Sequence, residues 1–251
     1  MLVRHLCPEC FTANYINNGK SKNDKQNNLC KNCGRAFVSV LDKELANSKI
    51  PVVNELLLEK ISLRGICRSM DVTKKWLLKH IKKLFKIQPD DLNVNIYRGR
   101  IYKEIKSKLI ISSRNRIEAD EMWSFVQNKK NEQWIWVAFD PDTNQVVSFH
   151  VGNRDMEAGK RLWDKIPEVY KSNTLYFTDK CSSYNFIPED MHIIVKEGNR
   201  VTNHVERFFC TLRQRVSRLV RSTLAFSKKN ENHIGAIKYF ICYYNLRYSL
   251  I

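Results

Sequence analysis

The chain has 251 residues, 43% of them hydrophobic, which is enough to bury a real core in one large domain or two to three small ones. Its net charge of +17 is uneven, because residues 1–117 carry 24 Lys and Arg against 10 Asp and Glu whereas residues 118–251 carry 19 against 16. That composition excludes an acidic disordered chain, and without an apolar run near the ~18 residues that cross a bilayer, or a signal-peptide core after Met1-Leu2-Val3-Arg4-His5, it predicts a soluble, cytoplasmic protein.

A basic half joined to a near-neutral half suits a chain that grips a polyanion with one part and keeps acidic residues for chemistry in the other. Lysine richness of the kind an AT-rich genome encodes is the plainer alternative. Four of the eight cysteines form two CxxC pairs, Cys7-Pro8-Glu9-Cys10 and Cys30-Lys31-Asn32-Cys33, separated by 19 polar-rich residues. The others (Cys67, Cys181, Cys210, Cys242) stand alone in apolar or helical stretches, a pattern that favours metal over disulfides. Tight CxxC turns let two thiolates chelate one ion, and four complete the closed shell of structural zinc. Residues 1–45 are therefore read as a four-cysteine zinc-binding module with Cys7, Cys10, Cys30 and Cys33 as ligands, and disulfides or free thiols remain the alternative. Too little apolar material lies between the pairs for an independent core, so Zn2+ would supply most of the folding free energy.

Residues 50–86 read as an all-α helix-turn-helix. A helical stripe covers 52–61, a short helix fits 63–70, and Asp71-Val72-Thr73 offers a turn and a cap before a helix over 74–84. That last helix would bury Leu77, Leu78, Ile81 and Leu84 and leave Lys74, Lys75, Lys79, Lys82 and Lys83 outside, a dress suited to double-stranded DNA. A solvated lysine face on a small bundle is the competing reading. Residues 87–115, with a basic stretch over 98–108, are read as a connector.

From residue 116 to 251 the pattern is α/β. Strands are expected over 117–126, 134–139 and 146–151 as an antiparallel meander, followed by a helix over 156–169 with Met156, Leu162, Trp163 and Ile166 inward. Strands over 175–178 and 192–195 and a helix over 199–220 come next. This is the order of a ribonuclease H-like domain with a mixed five-stranded sheet, in which the first and fourth strands are neighbours.

Asp120 sits mid-strand in an apolar run, and an interior carboxylate costs several kcal/mol unless something stabilises it. Asp179, just past the fourth strand, and Glu206, on the last helix, could complete a metal-binding set with it. Arg213, nearly two helical turns after Glu206, could hold a phosphate beside the metals. Glu121 alternates to the other side of the strand, Asp140 and Asp142 fit turn chemistry, and His150 reads as structural.

Taken together, the CPEC and CKNCG pairs, the helix-turn-helix, Ala119-Asp120-Glu121-Met122-Trp123-Ser124, Tyr176-Phe177-Thr178-Asp179, His204-Val205-Glu206-Arg207, Leu212 to Leu219 and Arg221 to Lys228 carry a resemblance. The chain resembles transposases of the IS one family of bacterial and archaeal insertion sequences over almost its whole length. The resemblance implies a DDE-type transposase, with Asp120, Asp179 and Glu206 as the catalytic carboxylates holding two Mg2+ or Mn2+ ions. It further implies binding to terminal inverted repeats and target DNA, action as a homo-oligomer on DNA, and a nucleoid-associated place in a prokaryotic cytoplasm. Two alternatives stand beside it: a catalytically dead DNA-binding regulator derived from a transposase, and a ribonuclease H-like structure-specific nuclease.

Overall fold

The computed structural model describes residues 6–20, 26–38, 47–95, 115–172, 174–196, 200–219 and 225–248. The chain divides into two units, Met1–Glu55 and Leu56–Ile251. In the first, β1 (Tyr15–Lys20), β2 (Gln26–Cys30) and β3 (Ala36–Val38) form an antiparallel sheet in that order. Both CxxC turns close the same way, with the Phe11 N–H donating to Cys7 O at 2.9 Å and the Gly34 N–H to Cys30 O at 3.0 Å. Both closing residues are left-handed (φ 54° and 72°), a conformation that Gly34 adopts without the Cβ clash that Phe11 bears. Helix α1 (Ile50–Leu56) runs across the division between the units.

The second unit starts with α2 (Leu63–Met70) and α3 (Lys74–Lys86). Side-chain caps set both starts: Ser62 Oγ accepts the Gly65 N–H at 3.1 Å and Thr73 Oγ1 accepts the Trp76 N–H at 3.2 Å. Asp71, left-handed at φ 47°, ends α2 and leaves a three-residue turn. Helix α3 buries Leu77, Ile81 and Leu84 and exposes all five expected lysines. Leu78 departs from the expectation and is 37% exposed, because the buried stripe steps by four and three residues and position 78 falls off it.

The central sheet consists of β4 (Asn115–Phe125), β5 (Glu132–Asp140), β6 (Gln145–Gly152), β7 (Thr174–Thr178) and β8 (His192–Ile194) in the order β6-β5-β4-β7-β8. The first three strands are antiparallel, whereas β7 runs parallel to β4 and β8 parallel to β7. This is the expected ribonuclease H-like order. One face packs α4 (Met156–Asp164) and α5 (Glu168–Lys171) around Ile117, Ala119, Trp136, Leu162 and Ile166. The other packs α6 (Asn203–Arg215) and α7 (Asn230–Tyr248) around Met122, Phe139, Phe208, Leu212 and Phe240.

Two expected helices are shorter than their patterns. The helix expected over 156–169 stops at Asp164 because Pro167 cannot continue it and instead leads into α5, and Met156 at its start is 44% exposed. The helix expected over 199–220 becomes a 3-10 turn, α6, an extended Val216 (ψ 100°) and a second 3-10 turn at Ser217–Leu219. Helix α7 has no counterpart in the sequence reading. It is held by Asn245, fully buried, whose Oδ1 accepts the Val146 N–H and whose Nδ2 donates to Leu92 O and Val146 O, all at 2.9 Å.

Part of the expected connector also joins this core. Leu92 is buried against α7 and β6, and the Asn95 N–H donates to Gln145 Oε1 at 2.7 Å. Its basic stretch 98–108 lies outside the described residues, as do 221–224 of the last resembling segment. Helix α3 rests on α7 so closely that a Cβ on Gly235 would overlap the Phe85 ring. Among the described residues no helix is long and apolar enough to cross a membrane.

Candidate active site

Parallel pairing of β4 with β7 matches Glu118 to Phe177, so two residues further on Asp120 stands level with Asp179. Asp120 lies mid-strand, half-buried, on the face covered by α6; Asp179 is the first residue past the end of β7. The Asp120 Oδ1 accepts the Glu121 N–H at 2.8 Å, and Asp179 Oδ1 accepts the Cys181 N–H at 3.0 Å.

The third carboxylate arrives on α6. Val205, Phe208, Phe209 and Leu212 form the buried stripe of that helix, which leaves Glu206 at its flank in the first turn. The side chain of Thr202 donates to Glu206 Oε1 at 3.3 Å. The helix has no cap from its own neighbours, since Thr202 makes no side-chain cap bond. Its cap comes instead from β4, where Glu118 is fully buried two residues before Asp120. Glu118 Oε2 accepts the backbone N–H of both His204 and Val205 at 3.0 Å, while Oε1 accepts from His204 Nδ1 at 2.8 Å and Arg116 Nη2 at 2.7 Å. Arg116 also donates to Val201 O and lies 4.9 Å over the Phe177 ring. One strand thus supplies Asp120 and fixes the helix carrying Glu206.

Burial raises the Asp120 carboxyl to about 7, against the lowering pull of the Glu121 N–H, and the negative charges of Glu121, Asp179 and Glu206 add to the rise. Asp120, Asp179 and Glu206 share an electrostatic field, but their oxygens do not all come within 4.8 Å of one another; oxygen donors of this kind suit a hard divalent ion. Arg213 is half-buried on α6, about 10 Å along the axis from Glu206 at 1.5 Å per residue. That spacing suits a phosphate further along the backbone rather than one between the carboxylates.

Glu121 alternates to the other sheet face from Asp120, yet it is not remote from the site: its carboxylate, the Asp179 carboxylate and the Cys181 sulfur all lie within 4.8 Å of one another. Glu121 is buried, with Oε1 2.7 Å from both Nε and Nη2 of Arg154 and Oε2 accepting the Tyr184 hydroxyl at 2.9 Å. Burial and this carboxylate push the Tyr184 phenol well above its usual range. Arg154 follows β6, lies 4.6 Å over the Trp134 ring, and brings Nη2 to 3.9 Å from Asp179 Oδ2. Sequence reasoning missed Arg154, Tyr184 and the capping role of Glu118. The legible signal was a second and third carboxylate within one apolar strand, each needing a cation or donors.

In the smaller unit, Cys7, Cys10, Cys30 and Cys33 bring their sulfurs within 4.8 Å of one another, with Cys7 to Cys33 at 3.6 Å and Cys10 to Cys30 at 3.5 Å. Sulfurs at the corners of a tetrahedron with ~2.3 Å bonds to zinc stand about 3.8 Å apart, so the cluster fits that ion. Although burial raises the Cys7 and Cys30 thiols, backbone N–H groups aimed at their sulfurs bring both down, whereas against the pull of the Thr12 and Arg35 N–H groups burial and the neighbouring sulfurs push Cys10 and Cys33 up, so the four titrate as one group. The Arg35 guanidinium pairs with Glu9 from one turn to the other.

Residues 115–246 match the family model of the IS1 transposase. The insertion element iso-IS1n protein InsB of Shigella dysenteriae is 34% identical over 124 residues, 49% of this chain and 92% of that protein. The insertion element IS1 9 protein InsB of Escherichia coli is 28% identical over 168 residues, 66% and 91% of the two chains. Among solved structures, a Mos1 transposase paired-end complex with the left transposon end covers 66% of this chain and 56% of that one at 11% identity, and its TM-score of 0.23 adds nothing to what the strand order shows. Because the match takes in all five strands of the central sheet and more than half of the residues, this chain belongs to the IS1 transposase family.

Proposed function

We propose that this transposase cuts DNA at the ends of its own insertion sequence and joins the freed ends to target DNA, with Asp120, Asp179 and Glu206 holding two divalent ions, Mg2+ or Mn2+. The observation that carries the reading is the convergence at Asp120: a neighbouring strand end and a helix anchored on the same strand bring two further carboxylates into its field. Bound there, the ions would activate water or a 3′-hydroxyl and stabilise the departing oxygen. The chain's own part is alignment. Glu118 fixes the N-terminus of α6, the sheet fixes Asp120 against Asp179, and the backbone bonds to Asp120 and Asp179 leave one oxygen of each for a cation. Arg213, in the last turn of α6, would meet the strand further along.

Recognition of the element's ends is assigned to the N-terminal parts. The four-cysteine cluster takes Zn2+ as a structural ion, and α3 presents Lys74, Lys75, Lys79, Lys82 and Lys83 to DNA phosphates as the second helix of a helix-turn-helix. Domain bounds of 1–45, 50–86 and 116–251, with 87–115 between, fit this division of labour. The protein would work as a homo-oligomer, because two ends must be brought together, and at the nucleoid of a prokaryotic cytoplasm, where its DNA lies. The test is incubation of purified protein with duplex DNA spanning either flank of its gene, with and without Mg2+, and mapping of nicks. Cleavage at a repeated terminal sequence followed by joined products supports the reading. Metal-independent binding without cleavage would make it a regulator, and cleavage directed by branched structure rather than terminal sequence would make it a structure-specific nuclease.

A further inference from the structure

We infer that Arg154 is a phosphate-binding residue of this site, holding the DNA backbone next to the phosphate that is cut, and that Glu121 and Tyr184 are the positioning residues that aim it. This rests on the reading of Asp120, Asp179 and Glu206 as the catalytic set. Arg154 lies half-exposed on the lip of an open groove lined also by Asp179, Lys180, Cys181 and Ser182. Glu121 takes its Nε and Nη2, Trp134 lies beneath its plane, and among the described residues Nη1 has no partner. The guanidinium is therefore fixed on one edge and face, with donors left for the groove.

Stability alone is a weak reason for this arrangement, because an ion pair with one half-exposed partner contributes little against the cost of burying the other. What it does add is a fixed direction for a planar fork of donors, the geometry that suits a phosphate. Nor is Arg154 simply the partner of Asp179, because 3.9 Å is too long for a hydrogen bond and leaves the Asp179 carboxylate able to take a cation. Asp120 and Glu206 work from the α6 face of the sheet and Arg154 from the α4 face, with Asp179 at the strand end between them. A DNA strand crossing the end of β7 would meet the carboxylates on one side and the guanidinium, with exposed Lys180, on the other.

The test pairs protein variants with neutralised DNA. Single-turnover cleavage by the full chain is measured on a duplex from its gene flank carrying one methylphosphonate, moved phosphate by phosphate across the cut. Arg154→Ala strands a buried carboxylate, so Arg154→Ala/Glu121→Gln is measured beside it, with Tyr184→Phe as a milder perturbation of aim. The double variant should cut roughly 10- to 100-fold more slowly, the range expected for one charge-assisted hydrogen bond. One methylphosphonate beside the cut should slow the wild type by a similar factor and the double variant no further. Losses that multiply at every position, or wild-type rates in the double variant, would overturn the inference. Asp120→Asn separates the two readings: if it abolishes cleavage while the double variant is unaffected, only the role of Arg154 fails, and if it cuts normally, the catalytic set itself is wrong.

Discussion

Replacing Glu118 with Gln should weaken both the fold and the reaction, although Glu118 is fully buried and touches no DNA. Its two oxygens accept four donors, from Arg116, the His204 ring and the His204 and Val205 backbones. Glutamine keeps the shape but has one acceptor oxygen. If that oxygen faces the helix, its amide faces Arg116, which can only donate. The loss is one charge-assisted bond, about 1.5–3 kcal/mol, plus the charge at a helix N-terminus, about 0.3–1 kcal/mol and up to ~2 when partly buried. A sum of about 2–4 kcal/mol at about 2–4 °C per kcal/mol for a unit of this size lowers Tm by about 5–15 °C. Because α6 carries Glu206, the variant should also bind Mn2+ more weakly at a temperature where it is still folded. Differential scanning calorimetry and metal titration measure the two effects. A Tm within about 1 °C of wild type, or a lowered Tm with unchanged metal affinity and cleavage, would refute the claim that this carboxylate positions the third ligand.

Asp120→Asn, Asp179→Asn and Glu206→Gln should each cut cleavage by at least ~100-fold while gel-shift affinity for DNA stays within about twofold, since each removes charge stabilisation without changing shape; a variant that still cuts is not a ligand. Cys30→Ser should lose zinc and the ordered β1–β3 sheet together, and elemental analysis showing no zinc in wild-type protein prepared without chelators would defeat that assignment. Replacing Lys74, Lys75 and Lys79 with Ala should lower DNA affinity and reduce the slope of log K against log salt by about 1 for each phosphate that is no longer neutralised. An unchanged slope would move the DNA-reading surface away from α3.

Local chemistry made part of this protein legible from its residues alone. The CxxC pairs needed only spacing, the starts of α2 and α3 only Ser62 and Thr73 as caps, and the five strands only apolar alternation between turns. Asp120 drew notice because a carboxylate in an apolar strand has to be stabilised by something. Where a pattern met a competing local rule, the pattern lost: Pro167 ended one helix early, and Leu78 fell beside the buried stripe of another.

Other features depend on partners far apart in sequence, and no window of residues contains them. Glu118 caps a helix 86 residues later, Asn245 pairs with a strand 99 residues earlier, and Glu121 meets Arg154 and Tyr184 from two separate loops. Helix α7 also gives no stripe to read, because its polar and apolar residues are spread around it with little bias to one side. Strand alternation decided which side of β4 each carboxylate faces. Only the tertiary structure decided what each of them meets: Glu118 takes Arg116, His204 and a helix N-terminus, Glu121 takes Arg154 and Tyr184 while lying beside Asp179, and Asp120 sits in the field of three other carboxylates, because that depends on what the rest of the chain lays against each face of the sheet.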